Sequence, residues 1–356
     1  MESSSAPRIS VAACAVIYAA LSGIATASHY HFVDAALRPL MEAFSRNILE
    51  GRADAPQQFR ILFPILADRL IAAGVPAVVS WLGLRFAAVL IGAALFHRFL
   101  ATWFDRRTCL LGTLGLFAFL PITYLNYHLS VTDPGNLAFT LGALILVERR
   151  RDAWLAALLA VGVMNRETMI LVPLLWLFYR WDELPPLRCA LLFLGYCATV
   201  VGVHFAVRAH FGPRANYASS LFEIPGFDRI SLNLRWRALL YFALYLGPLG
   251  VLAAIGWRQN PKFVRRALLF VPFFVVFHFL MAMIAETRLM LPVFPIVAAG
   301  ALCRMAPCRI PRDPEPQTWP WIRRHALLLY ICGFIAFVLL TIGVGNRLIY
   351  ATGGSA

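Results

Sequence analysis

The chain has 356 residues, of which 60% are hydrophobic and only 14% are charged. Soluble domains of this size do not have such a composition. The formal charge of +14 comes almost entirely from arginines scattered over many short loops, a distribution that argues against a nucleic-acid-binding protein. Apolar runs of about 15–22 residues recur along nearly the whole length and instead predict an all-α, polytopic bundle in a lipid bilayer.

These runs, taken in chain order, predict about eleven membrane-spanning helices. Their approximate ranges are 9–27, 76–97, 109–124, 135–148, 152–164, 167–180, 188–207, 237–257, 266–284, 288–304 and 326–345. Residues 1–305 are expected to form the transmembrane core, 306–325 a proline-rich cytoplasmic linker, and 326–356 a final helix with a short tail. The first run precedes Ala25-Thr26-Ala27 and could alternatively be a cleaved signal peptide.

Two neighbouring segments, 152–164 and 167–180, are too short to cross a full bilayer comfortably. They could form a tight hairpin, two half-helices that meet at a polar turn, or one long helix. Cytoplasmic loops collect positive charge, and a hairpin places more of the arginines in inside loops than a long helix does. We therefore expect a hairpin, a cytoplasmic N-terminus and two longer external loops, 28–75 and 208–236.

The first external loop contains two stretches with apolar character. Phe32, Leu37, Leu40, Phe44 and Ile48 are spaced for one face of an amphipathic helix over about 32–50. The second stretch, 59–73, is apolar except for a few charged residues and is expected to lie along the membrane surface.

Three short polar clusters interrupt apolar sequence, and the expected topology places all of them on the external face. They are Asp133-Pro134, Asn165-Arg166-Glu167 and Glu286-Thr287-Arg288. Ionisable groups next to hydrocarbon are unfavourable unless they cap a helix or line a wet cavity. The sequence therefore predicts one shared polar cavity at this face.

Each cluster also has a purely structural interpretation. Asp133 before a proline could cap a helix, and Arg166 with Glu167 could close the hairpin as an ion pair. Arg288 near a helix start, where free backbone N–H groups favour anions, indicates phosphate binding more than a structural pair. Arg60 could hold a phosphate or extend towards lipid headgroups.

Asp34 follows closely on His29 and His31, just outside the first helix. Its carboxylate could be a general base that deprotonates an attacking hydroxyl, or the N-terminal cap of the next helix. Two histidines and one acid are a weak metal signature, so we predict no cofactor, and a divalent metal stays an open alternative.

Four motifs occur in a fixed order along the chain. They are Gln58-Phe59-Arg60-Ile61-Leu62-Phe63-Pro64, the helix start at Asp133, Asn165-Arg166-Glu167-Thr168, and Ala285-Glu286-Thr287-Arg288-Leu289 followed by Pro292 and Pro295. Over residues 9–305 this ordered set resembles bacterial integral-membrane proteins related to the C-type (GT-C) glycosyltransferase superfamily. The resemblance implies a multi-helix core in the bacterial inner (cytoplasmic) membrane with its active site on the extracytoplasmic side.

The resemblance also implies the chemistry. A hexosyl or pentosyl group would pass from a polyprenyl-phosphate-linked sugar to an extracytoplasmic acceptor (a glycan, lipid or protein). A catalytic acid is expected in the first external loop, where Asp34 matches, although Ala35 stands where a second acid is common.

The arginines would hold the donor phosphate and stabilise the charge that develops as the sugar leaves. The complete set of expected substrate-binding residues is Arg60, Asp133, Asn165, Arg166, Glu167, Glu286 and Arg288. Two other functions stay open: a transporter or flippase of a polar lipid or glycan, and a non-catalytic membrane subunit whose polar clusters are ion pairs.

Overall fold

The computed structural model describes residues 10–31, 38–53, 57–124, 132–212, 232–255, 257, 260–282, 284 and 286–309. Within these ranges the chain forms twelve α-helices and no strand, which confirms the all-α prediction. The helices are α1 (Val11–His29), α2 (Arg38–Leu49), α3 (Leu62–Ala72), α4 (Ala77–Leu100), α5 (Arg106–Phe119), α6 (Thr132–Glu148), α7 (Asp152–Asn165), α8 (Val172–Arg180), α9 (Pro186–Phe211), α10 (Trp236–Ile255), α11 (Lys262–Met281) and α12 (Phe294–Met305). Short 3-10 helices lie at Gln57–Phe59, Leu120–Tyr124, Glu167–Leu171 and Thr287–Met290.

Five of these helices are long and apolar enough to cross a membrane, namely α1, α4, α9, α10 and α11. The helices α7 and α12 are also apolar but shorter. This is the pattern of a multi-pass membrane protein, in agreement with the sequence. The number of crossings stays a prediction, and the predicted final helix 326–345 and most of the linker lie outside the described residues.

Local sequence accounts for several helix boundaries. Ser10 caps α1 by accepting a hydrogen bond from the backbone N–H of Ala13 at 3.0 Å. Asp105 caps α5 in the same way, accepting from Thr108 N at 2.8 Å, and this bond lowers the pKa of the Asp105 carboxyl. At the end of α9, Gly212 has φ 73° and ψ −179°, a positive-φ conformation that glycine adopts without strain.

The segment 152–180 folds as a hairpin, as expected. The α7 helix ends at Asn165, and Arg166 has an extended backbone with φ −160° and ψ 141°. Trp176 Nε1, on α8, donates a hydrogen bond to Asp152 Oδ1 at the start of α7 over 3.1 Å. One continuous helix would separate these two residues by about 36 Å, so α8 returns to the end at which α7 begins.

Ion pairs tie the loops together at that end. Glu183, just after α8, lies within 3.3 Å of cations from three segments, which are Arg150, Arg180 and Lys262. The α6–α7 turn, the end of α8 and the start of α11 are therefore adjacent. We call this the Glu183 end of the bundle, and the opposite end, where α6 begins and α7 ends, the Asp133 end.

The short helix α3 packs against α6 at the Asp133 end. A Cβ atom at Gly135 would lie 2.8 Å from Phe63 Cζ, closer than real Cβ atoms approach other atoms. Glycine at this position therefore lets Phe63 sit against the first turn of α6. This contact brings the segment before α3, which carries Arg60, close to Asp133.

Candidate functional site

Asp133, in the first turn of α6, is shared by two arginines. Its Oδ2 accepts a hydrogen bond from Arg288 Nη1 at 3.0 Å, and its Oδ1 forms an ion pair with Arg166 Nη1. All three side chains are at most 8% exposed. Because one carboxylate faces two guanidiniums, the local charge is balanced only with the help of Glu286, which accepts from Arg288 Nη2 at 2.9 Å.

A second ion pair stands beside the first. Arg60 donates to Glu167 Oε2 through Nε at 3.2 Å and Nη2 at 3.1 Å. Gln57 Oε1 accepts from Arg60 Nη1 at 3.1 Å. Glu167 follows Arg166 directly in the chain, so the two ion pairs are joined through the turn between α7 and α8.

Polar contacts fix this turn against the start of α6. Asn165 Nδ2 donates to the carbonyl of Thr132 at 3.2 Å, and the Thr168 hydroxyl donates to Asn136 Oδ1 at 3.1 Å. Asn165 is completely buried, and within the described ranges its Oδ1 has no hydrogen-bond partner. Asn165 therefore holds in place the turn that carries Arg166 and Glu167.

The segment carrying Glu286 and Arg288 is positioned by Asn233, which precedes α10. Asn233 Nδ2 donates to the carbonyls of Phe279 at 2.7 Å and Ala282 at 2.8 Å, and its Oδ1 accepts from Ile284 N at 2.9 Å. Sequence reasoning missed Asn233, for which the sole signal was one amide between Leu232 and Leu234.

The structure brings together all seven expected substrate-binding residues at the Asp133 end, although their roles stay predictions. One structural interpretation is wrong and another is observed. Arg166 and Glu167 do not close the hairpin by pairing with each other, because they pair with Asp133 and Arg60. Arg288 lies near the start of the 3-10 helix Thr287–Met290, and its guanidinium forms the structural pair that was the alternative to phosphate binding, with Asp133 and Glu286.

Asp34, the expected catalytic base, lies outside the described residues. His29, considered with it as a metal ligand, is buried and its Nδ1 accepts a hydrogen bond from Arg85 Nη1 of α4. In the part of the chain that the structure describes, no three His, Cys, Asp or Glu side chains form a group that could hold a metal ion.

Two further residues join the site and were not singled out from sequence. Arg208, in the last turn of α9, stacks its guanidinium over the Phe59 ring at 4.5 Å and interacts electrostatically with Glu167. His278 on α11 is buried, donates from Nδ1 to the Phe274 carbonyl at 2.9 Å, and lies within electrostatic reach of Arg166. Neither stood out because single polar residues near helix ends are common.

The chain matches no known protein family, no curated protein and no solved structure.

Proposed function

We propose that this chain is a membrane glycosyltransferase that moves a sugar from a polyprenyl-phosphate-linked donor to an extracytoplasmic acceptor. The observation that supports the proposal is the sharing of one buried carboxylate, Asp133, by Arg166 and Arg288 at one end of an apolar bundle. Guanidiniums bind phosphate oxygens in the same two-pronged way as carboxylates. A phosphate that approaches this end of the bundle meets donors already held in place.

Each side chain of the site takes a distinct role in this proposal. The arginines stabilise the negative charge that develops on the phosphate as the sugar leaves. Asp133 keeps them in position and balances their charge, since both of its oxygens are already bonded to guanidiniums. Asp34, matched through the GT-C resemblance, would take the proton from the acceptor hydroxyl.

The Asp133 end would face the extracytoplasmic side, with the N-terminus in the cytoplasm and the chain in the bacterial inner membrane. Nucleotide sugars are cytosolic, so an outward-facing transferase needs a donor that has already crossed the bilayer. A lipid-linked sugar meets that need and also reaches the site from within the membrane.

The test is a transfer assay in vesicles that carry the native polyprenyl-linked donor, scored for glycan product and for protein level. Asp34→Asn is expected to lower the transfer rate by about 10²–10⁴-fold without changing the protein level. Asp68→Asn removes an exposed acid on α3 and serves as the control. A normal product level in Asp34→Asn would remove Asp34 from the catalytic role.

A transporter or flippase is the second candidate, favoured by the short helices α7 and α8, which meet at a charged turn. Broken helices of this kind form the binding sites of many transporters. A flippase would move a fluorescent polyprenyl-phosphate lipid across vesicles in the absence of any acceptor. The transferase predicts glycan product and no such movement, so the two assays together separate the candidates.

A further inference from the structure

Arg208 differs from the other three arginines of the candidate site. Arg60, Arg166 and Arg288 each form an ion pair with a carboxylate. Arg208 forms none with any residue in the described ranges, and its Nε is buried without a hydrogen-bond partner there. Arg208 is partly exposed, so its remaining N–H groups are open to a ligand. A guanidinium without a bonded carboxylate can bind the oxygens of another anion, which makes Arg208 a natural contact for a bound phosphate.

The position of Arg208 is defined by packing. Its guanidinium carbon lies 4.5 Å from the centre of the Phe59 ring, a cation–π contact. Phe59 is buried and directly precedes Arg60, so the stacked guanidinium is held next to the Arg60–Glu167 pair. Stacking uses the flat face of the guanidinium and leaves its N–H groups, which point outwards in the plane, to bind a ligand.

The charges of the cluster limit which anion fits. Its four arginines (Arg60, Arg166, Arg208 and Arg288) face three carboxylates (Asp133, Glu167 and Glu286), so the described cluster carries one excess positive charge. A phosphodiester carries a single negative charge at neutral pH and would neutralise the cluster. A diphosphate would leave uncompensated negative charge in a poorly hydrated site.

We propose that Arg208 binds the phosphate of the substrate directly and that the site selects a lipid-linked phosphodiester over a lipid diphosphate. This inference rests on the proposed function, because it names one more binding residue and the charge of the anion for the same site. Arg208 lies in the last turn of α9, a helix long and apolar enough to cross the membrane, so a lipid headgroup can reach it from the bilayer.

The experiment measures binding to the purified full chain in nanodiscs. The probe is methyl farnesyl phosphate, a lipid phosphodiester, compared with farnesyl diphosphate, farnesol and inorganic phosphate. Arg208→Gln is expected to weaken binding of the phosphodiester by about tenfold or more, because one charge-assisted hydrogen-bonding group is lost. Its binding of farnesol is expected to stay unchanged.

Arg237→Gln is the matched control. Arg237 also stacks on an aromatic ring, that of Trp236, and lies near the same end of the bundle. It is exposed, and within the described ranges it forms no hydrogen bond or ion pair with the cluster. The Arg237→Gln variant removes the same charge as Arg208→Gln and is expected to leave binding of the phosphodiester unchanged. An equal loss in both variants would reduce the effect to general surface charge and overturn the proposal.

The remaining outcomes separate this inference from the proposed function. Unchanged phosphodiester binding in Arg208→Gln overturns the inference and leaves the transferase proposal standing. Wild-type protein that binds farnesol as tightly as the phosphodiester contradicts the proposed function itself. If inorganic phosphate at equal concentration displaces the phosphodiester, the site takes free phosphate. If farnesyl diphosphate binds more tightly than the phosphodiester, the charge argument is overturned.

Arg208→Lys decides the matter if the glutamine variant does not fold. Lysine keeps the charge but loses the planar donor fork and its stacking on Phe59. We expect at least about threefold weaker binding of the phosphodiester. Binding equal to wild type in Arg208→Lys would overturn a direct, two-pronged contact.

Discussion

Arg288 Nη1 donates a hydrogen bond to Asp133 Oδ2 at 3.0 Å, joining residues 155 positions apart in the sequence. The bond links the start of α6 to the segment that follows α11, and both side chains are buried. Arg166 occupies the other oxygen of the same carboxylate. Asp133 is therefore the point at which three separate parts of the chain are joined.

Removing the Asp133 charge should destabilise the fold more than removing any other carboxylate of the cluster. Asp133→Asn leaves two buried guanidiniums without their shared partner, and breaking a buried pair on one side costs about 3–5 kcal/mol. Glu286→Gln is the control, since Arg288 keeps its bond to Asp133 in that variant. The free energy of unfolding in detergent measures both, and equal losses would contradict the shared role of Asp133.

The Arg60–Glu167 pair should show measurable coupling. Its side chains are 10% and 27% exposed, and a double-mutant cycle with Arg60→Gln and Glu167→Gln is expected to give about 0.5–3 kcal/mol. The exposed pair Arg52–Glu50, at 62% and 46%, is the matched control. Solvent weakens an exposed pair, so the coupling free energy of Arg52–Glu50 is expected to be about 0–1 kcal/mol. Equal coupling free energies for the two pairs would count against the Arg60–Glu167 geometry.

Gly135→Ala should be destabilising although alanine favours helices. The added methyl group would meet the Phe63 ring, and overpacking of this kind costs about 1–3 kcal/mol. Gly115→Ala on α5 meets no atom within 4 Å and is expected to stabilise by up to about 1 kcal/mol. Phe63→Leu should restore part of the loss in the Gly135 variant, and thermal unfolding in detergent measures all three changes.

Hydropathy alone was enough to locate most of the helices, because each apolar run has to pack inside the protein or face the hydrocarbon of the bilayer over a fixed length. The hairpin at Arg166 also followed from counting arginines in loops, and the Asp152–Trp176 bond agrees with it. The amphipathic pattern over 32–50 and the apolar stretch 59–73 correspond to α2 and α3.

Pairing within the site could not be read from the sequence. Arg166 and Glu167 are neighbours in the chain, yet an extended backbone at Arg166 sends their side chains to different partners. That choice depends on where α6 and the Arg60 segment pack, which is tertiary information. Arg208 was missed for the same reason, because its place beside the cluster depends on its stacking on the Phe59 ring.

The orientation in the membrane is open to a direct test. Ala209 and Arg151 are exposed and are separated by α7, α8 and α9, which places them at opposite ends of the bundle. In a variant whose native cysteines have been replaced, Ala209→Cys should react with a membrane-impermeant maleimide in intact cells, because the Asp133 end is proposed to face outwards. Arg151→Cys should react only after the membrane is permeabilised, since the proposed orientation puts the basic loops around Arg151 in the cytoplasm. The reverse pattern would place the Asp133 end in the cytoplasm, where a donor would not need to cross the bilayer, and would remove the argument for a lipid-linked sugar.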